Sequence, residues 1–139
     1  MASAHDDFRA LLQTNEQSIT KTRTAVFDAL LGQEPLSMHE LITRLPAVDR
    51  ASVYRSIELF ERLGIVQRLH TGWKYKIELS DAFAEHHHHL TCTACGRTIP
   101  MNETELEQTI ARLARAHSFT PYTHQIEIQG LCAQCQAKR

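Results

Sequence analysis

Two cysteine pairs, Cys92-Thr-Ala-Cys95 and Cys132-Ala-Gln-Cys135, carry the spacing that lets a short turn present two thiolates to one metal ion. Together they supply the four tetrahedral ligands of Zn²⁺, and Gly96 follows the first pair where a knuckle turns. The pairs stand further apart than in a compact zinc ribbon, which leaves room for a helix and a strand between them. A thioredoxin-like redox pair would not come twice, and a disulfide framework does not suit a reducing cytosol. The spacing therefore predicts structural zinc.

Just before Cys92 runs His86-His87-His88-His89, in the chain interior and so unlike a purification tag. On a strand over residues 85 to 92, His87 and His89 face one side and His86 and His88 the other. One strand then serves two metal sites. Glu78 is the candidate carboxylate for the first face, and Glu107 and His124 are the candidates for the second. The competing reading is an exposed polar loop.

A third constellation suits nucleic acid. In Arg50-Ala51-Ser52-Val53-Tyr54-Arg55 the apolar Val53 turns inward, so Ser52, Tyr54 and Arg55 project outward with Arg50 near the helix start. A recognition helix offers such N-terminal residues to the major groove. Arg suits guanine and phosphate, while Tyr and Ser suit thymine methyls and phosphate oxygens. Lys21 and Arg23, ahead of the preceding helix, are candidates to clamp the DNA backbone. The competing reading is an ordinary solvated helix face.

The chain that must position these groups has 139 residues, 42% hydrophobic and 22% charged, the balance of a globular protein holding one domain or two small ones. Its formal net charge of −1 means that any DNA binding must come from a local patch. No apolar run spans a bilayer, and the start MASAHDDFRALLQ lacks the basic end and apolar core of a secretory signal. A cytoplasmic protein is expected. All four cysteines lie after residue 80, which suggests a boundary near Ser80 and two domains, 1–80 and 81–139.

The first half reads as three or four helices and a hairpin. Val26, Phe27, Leu30 and Leu31 form a helical stripe over Thr24 to Leu31. Ser37 to Glu40 fits a capping box ahead of Leu41, Ile42 and Leu45, and Pro46 ends that helix. Asp49 caps the next, where Val53, Ile57, Phe60 and Leu63 recur before Gly64. Ile65 to Leu69 and Trp73 to Leu79 read as strands about His70-Thr71-Gly72. In the second half, Glu103 to Ala116 is a helix with Leu106, Ile110 and Leu113 on one face, and Tyr122 to Ile128 alternates like a strand. The fold class is α+β: an N-terminal winged helix-turn-helix followed by a small α/β domain. So short a second unit has a limited core and benefits from a staple.

These residues resemble the ferric uptake regulator family of metal-sensing bacterial repressors, from about Ile19 to Cys135. The resemblance rests on Ser52-Val53-Tyr54-Arg55, on His86 to Leu90 with Cys92-x-x-Cys95-Gly96, and on His124 before Cys132-x-x-Cys135. It implies a homodimer whose C-terminal α/β domain dimerises and whose four cysteines hold structural Zn²⁺. It implies a regulatory metal at the hinge on Glu78, His87 and His89, and a further site in the dimerisation domain on His86, His88, Glu107 and His124. Tyr54 and Arg55 match the family's DNA-contacting pair. Iron sensors usually carry a histidine where this chain has Pro35 and a glutamate where it has Pro100, and peroxide sensors tend to use aspartate where Glu78 stands. Zinc sensors often take a ligand at the position of Gln67, a role for which His70 or His39 is the substitute here. The stretch from His124 to Gly130 is most similar to the zinc branch. The resemblance thus implies a zinc-responsive repressor of metal-uptake genes that binds a palindromic operator in double-stranded DNA. An iron- or peroxide-responsive relative, with Fe²⁺ or Mn²⁺ as regulatory ion, is the alternative. A zinc-stapled protein-interaction module is the alternative of another class. A zinc nucleobase deaminase is disfavoured: Thr91, not Pro, precedes Cys92, and no His-x-Glu lies upstream.

Overall fold

The computed structural model describes residues 2–71 and 74–138. Along the chain run α1 (Ala4–Thr14), α2 (Lys21–Leu30), α3 (Met38–Thr43), α4 (Arg50–Arg62), β1 (Val66–Thr71) and β2 (Lys74–Leu79). Then come β3 (His88–Cys92), β4 (Thr98–Met101), α5 (Thr104–Ala116), β5 (Glu127–Gly130) and α6 (Ala133–Ala137). Two compact units result, one through Glu85 and one from His86. The turn after Ser80 goes with the first unit, where Phe83 meets Phe27 edge-on at 5.3 Å between ring centroids.

Local chemistry sets the helix starts of the first unit. Thr20 caps α2 by accepting the Arg23 N–H, so this helix begins before the apolar stripe at Thr24. Ser37 and Glu40 form the full capping box of α3, and Asp49 caps α4 by accepting the Ser52 N–H at 2.9 Å. Gly64, at φ +74°, ends α4 in the left-handed region that a side chain disfavours. Phe8 and Leu12 of α1 enter the core, with Phe8 stacked on Phe27 at 4.3 Å and edge-on to Phe60 at 5.5 Å.

β1 and β2 form the antiparallel wing with Gln67 opposite Glu78 and His70 opposite Tyr75. Leu36 adds a bridge to Ile77 at the other edge of β2. Gly72 and Trp73, expected at the turn and at the start of the second strand, lie outside the described residues.

The second unit holds a three-stranded sheet in the order β4-β3-β5, with β3 antiparallel to β4 and parallel to β5. Among its described residues the most buried are His88, His89, Thr91, Cys92 and Thr98, with no aliphatic, Phe, Tyr or Trp side chain among them. The stripe on α5 is only partly covered, and Leu113 is 49% exposed. Three elements depart from the sequence reading. The strand expected from residue 85 starts at His88, so His86 and His87 precede it. The strand expected over Tyr122 to Ile128 forms instead at Glu127–Gly130, where parallel pairing with β3 begins opposite His89. β4 has no counterpart in the sequence reading, and Pro100 lies within it. The proline is tolerated there because β4 is an edge.

Candidate metal centres and nucleic-acid interface

Sheet pairing brings the two cysteine pairs together. Cys92 closes β3 opposite Gly130 of β5, two residues before Cys132 at the cap of α6. The first knuckle is tied by the Gly96 N–H donating to the Cys92 carbonyl at 2.9 Å, with Gly96 at φ +78°. All four thiols are free, and their sulfurs lie within 4.8 Å of one another. A zinc–sulfur bond of about 2.3 Å makes each edge of a tetrahedron about 3.8 Å. Cys95 Sγ and Cys132 Sγ stand 3.8 Å apart, a zinc edge and nearly twice a disulfide bond. Backbone N–H groups of Cys132 and Cys95 aimed at the Cys92 sulfur bring its thiol down to about 6, as a metal ligand requires. The Cys135 thiol, beside the Cys132 and Cys92 sulfurs, is pushed up to about 12, which marks how unfavourable four gathered thiolates are without a cation. The donor set fits zinc.

A second cluster lies in the same unit. His86, His88, Glu107 and His124 each offer a ligand atom, and these atoms lie within 4.8 Å of one another. His88 Nε2 is 2.6 Å from Glu107 Oε1, and His124 Nε2 is 2.8 Å from Glu107 Oε2. His86 Nε2 is 3.3 Å from Glu107 Oε1 and 3.0 Å from His124 Nε2. Metal bonds of about 2.0–2.1 Å need edges near 3.3 Å, so the four atoms fit a tetrahedral ion with small adjustments. The Ile126 N–H donates to His88 Nδ1 at 3.3 Å, which leaves the ring proton of a neutral His88 on Nε2, where it is donated to Glu107 Oε1. Burial raises the Glu107 carboxyl. The His88 hydrogen bond and the nearby His124 and His86 outweigh it and hold the group below its ordinary value. His124 reaches the cluster from the segment before β5, not from the strand on which the sequence placed it.

His87 and His89 form a separate pair, their rings 4.6 Å apart, while His86 and His88 stand 4.7 Å apart. The alternation of the histidine run therefore persists although only its second half is strand. In the wing, Glu78 is buried and accepts a hydrogen bond of 2.7 Å from Gln67 Nε2, directly across the hairpin. The sequence reading treated Gln67 only as a poor ligand and missed this partnership, which the register of the hairpin makes unavoidable. His70 is three residues from Gln67 and so projects from the other hairpin face, beside the Tyr75 ring at 6.3 Å. His39 is exposed on α3. Neither histidine is brought to Glu78 within this unit.

α4 has the outward face that the sequence leads one to expect. Val53 is fully buried, whereas Arg50, Tyr54 and Arg55 are exposed and Ser52 is half-buried. Arg50 sits over the Tyr54 ring at 5.8 Å from its centroid. Ser52 Oγ donates to Asp49 Oδ2 at 2.6 Å and accepts from Arg55 Nη2 at 2.9 Å. Lys21 opens α2 in solvent, and Arg23 donates to the Ser18 carbonyl at 2.6 Å.

A helix-turn-helix with a two-stranded wing, followed by a unit assembled on cysteine and histidine clusters, defines a metal-responsive DNA-binding regulator of transcription. The pattern of the ferric uptake regulator family matches residues 15–129, and the chain belongs to that family. It is 35% identical over 125 residues to the zinc uptake regulation protein of Mycobacterium tuberculosis, across 89% of this chain and 94% of that one. It is 34% identical over 101 residues to the ferric uptake regulation protein of Bordetella parapertussis, across 71% of this chain and 70% of that one. Among solved structures, the Vibrio cholerae ferric uptake regulator matches with a TM-score of 0.75 at 28% identity, over 91% of this chain and 100% of that one. No helix among the described residues is long and apolar enough to cross a membrane.

Proposed function

We propose that the chain is a zinc-responsive, homodimeric repressor of metal-uptake genes that binds a palindromic operator. The observation that carries this reading is the division of labour in the histidine run. His86 and His88 converge with His124 on Glu107, while His87 and His89 pair separately. That leaves His87 and His89, with Glu78, as the regulatory ligands, distinct from the four-sulfur site that holds the fold. A buffer of stable zinc and a sensor of exchangeable metal need two such separate ligand sets.

Zinc as the sensed ion is supported by the likeness to the Mycobacterium tuberculosis zinc regulator and by Pro35 and Pro100, where iron sensors usually carry ligands. Ferrous iron is the second reading, supported by the nearly equal identity to the Bordetella parapertussis protein. Dimerisation through the second unit is supported by its uncovered apolar side chains. An apolar hollow of about 310 Å³ opens beside Leu90, Ile99, Ile128 and Leu131, and Ile128 is 48% exposed. A second copy covering this surface supplies the core that the unit lacks alone, and two recognition helices then read half-sites roughly 34 Å or a multiple apart. Such a regulator works in the cytoplasm and performs no catalysis.

The test is operator retention by metal-stripped dimer titrated with zinc, ferrous iron, manganese and nickel in turn. Retention driven by zinc at the lowest free concentration supports the reading. Retention that ferrous iron drives and zinc does not moves the chain to the iron branch, and retention indifferent to every metal removes the sensor.

A further inference from the structure

Beside the N-terminal turn of α2 and the outward face of α4 lies a hollow of about 280 Å³, lined by Thr20, Thr22, Arg23, Ser52, Arg55 and Ser56. Four hydroxyls and two guanidiniums make its wall, and no carboxylate lines it. Asp49 stands behind Ser52, which donates to it and holds it below the usual carboxylate range, so its charge is engaged at the α4 cap. Thr20 accepts the Arg23 N–H, and the remaining first-turn amides of α2 contribute the positive end of the helix.

The second observation is Ser56. It is only 5% exposed and lines the hollow, and among the described residues its hydroxyl has no hydrogen-bond partner. No side-chain oxygen is both sealed from solvent and unpaired among the described residues, so the Ser56 hydroxyl still opens on the hollow and is free to donate to a ligand oxygen there. Both guanidiniums are already braced, Arg23 by the Ser18 carbonyl at 2.6 Å and Arg55 by Ser52 Oγ at 2.9 Å. Each keeps further N–H donors, so little side-chain entropy is lost on meeting an anion.

We infer that this hollow seats a phosphate oxyanion, supplied by the backbone of duplex DNA lying along α4. The inference rests on the DNA-binding reading above and assigns atoms within it. Thr22 and Ser56 donate hydroxyls, and Arg23 and Arg55 donate N–H groups and charge. Arg55 thereby becomes a phosphate contact that fixes register, and Tyr54 and Arg50 are left to meet base edges. Sequence reasoning found Arg23 and Arg55 but not Thr20, Thr22 or Ser56. The only available signal was the spacing of Thr20 and Arg23, which reads as a helix cap.

The test is a methylphosphonate scan of the operator, each backbone phosphate in turn made neutral, with the metal-loaded full-length protein and its Arg23→Ala, Thr22→Ala and Ser56→Ala variants. Thermal melts check that each variant folds. One position per half-site is expected to weaken the unsubstituted protein on the order of tenfold, the scale of a charge-assisted contact. The same substitution should be nearly silent in Arg23→Ala, whose log–log salt slope should be smaller by about 0.9. Ser56→Ala and Thr22→Ala should weaken all operator sequences alike. Equal losses in variant and unsubstituted protein at every position, or a loss confined to one base pair, overturn the inference. So does saturation of the DNA-free protein by orthophosphate with no scan position coupled to Arg23, which makes the site one for the free anion. An unsubstituted protein that retains no operator under any metal instead overturns the functional reading, before any variant is compared.

Discussion

Withdrawing zinc from the four-cysteine site is expected to unfold the second unit while the first stays folded. The first unit buries Phe8, Leu12, Phe27, Leu41, Phe60, Ile65 and Ile77 almost completely. Each such side chain contributes about 1.5–3 kcal/mol relative to exposure. Among its described residues the second unit has no equivalent, since its most buried side chains are His88, His89, Thr91, Cys92 and Thr98. Structural zinc contributes about 10–16 kcal/mol at neutral pH, against about 5–15 kcal/mol for the net stability of a whole domain. Cys132→Ser removes one of four thiolates from that term. Serine at the α6 cap returns about 1 kcal/mol at best, because Cys132 caps with no side-chain bond now. If zinc leaves with that thiolate, the loss is therefore as large as the net stability of a whole domain. Hydrogen exchange read by mass spectrometry on the full chain is the assay, with zinc content measured in parallel. A strong chelator, or Cys132→Ser, should abolish protection across β3, β4 and β5 while α2 and α4 keep theirs. Protection of β3 that survives with zinc demonstrably gone would refute the structural role.

Alanine at His87 or His89 should abolish metal-dependent operator retention while leaving one structural zinc per chain by elemental analysis. His86→Ala should instead lower metal stoichiometry or dimer stability first, and equal effects from His86→Ala and His87→Ala would undo the two-site reading. Tyr54→Ala should weaken operator binding at one base step by roughly 1–3 kcal/mol in a competition series, with sedimentation showing an unchanged dimer. Ile128→Asp is expected to shift sedimentation from dimer toward monomer, because it sets a charge on a half-exposed apolar position beside Leu131. Phe8→Ala should cost about 3–5 kcal/mol in chemical denaturation, since α1 fills the core through that ring although it precedes the family-matched residues 15–129.

What could be read from the sequence was whatever is set by contacts close along the chain. The Ser37–Glu40 box, the Asp49 cap and the Gly64 stop are local devices, and each forms where its residues predict. The cysteine spacing was likewise local, and only the meeting of the two pairs needed the fold. Elements whose position is set by pairing were misplaced or missed. β5 starts at Glu127 because the parallel ladder with β3 begins there, and no residue type announces that register. β4 carries Pro100, and proline argues against a strand until the strand is known to be an edge. His124 stands 2.8 Å from Glu107 but reaches it from the segment before β5, because alternation on a strand does not extend to it. The Gln67–Glu78 bond and the unpaired Ser56 hydroxyl depend on cross-strand register and on helix packing, and neither has a sequence signature.

The two units differ in what holds them folded, and that difference suits a sensor. The reading head closes on aromatic and aliphatic side chains, so its stability is indifferent to metal supply. The second unit buries His88, His89 and Cys92 where another domain would bury leucines, so on the proposed reading its free energy follows ligand occupancy. Among those ligands, the four sulfurs are on the proposed reading the set whose loss removes the fold. A metal that must come and go is better carried by neutral imidazoles and a carboxylate, which tolerate its departure, than by gathered thiolates, which do not. The Cys135 thiol raised to about 12 and the Cys92 thiol lowered to about 6 express that intolerance within one cluster. Regulation further requires that the exchangeable ion bind one arrangement of the protein better than another, because equal affinity shifts nothing. On the proposed reading, His87 and His89 supply the ligands for that exchangeable ion. They share a face that the His86–His88–His124–Glu107 cluster does not use and lie apart from the four sulfurs, so on the proposed reading an exchangeable ion there leaves both other ligand sets intact.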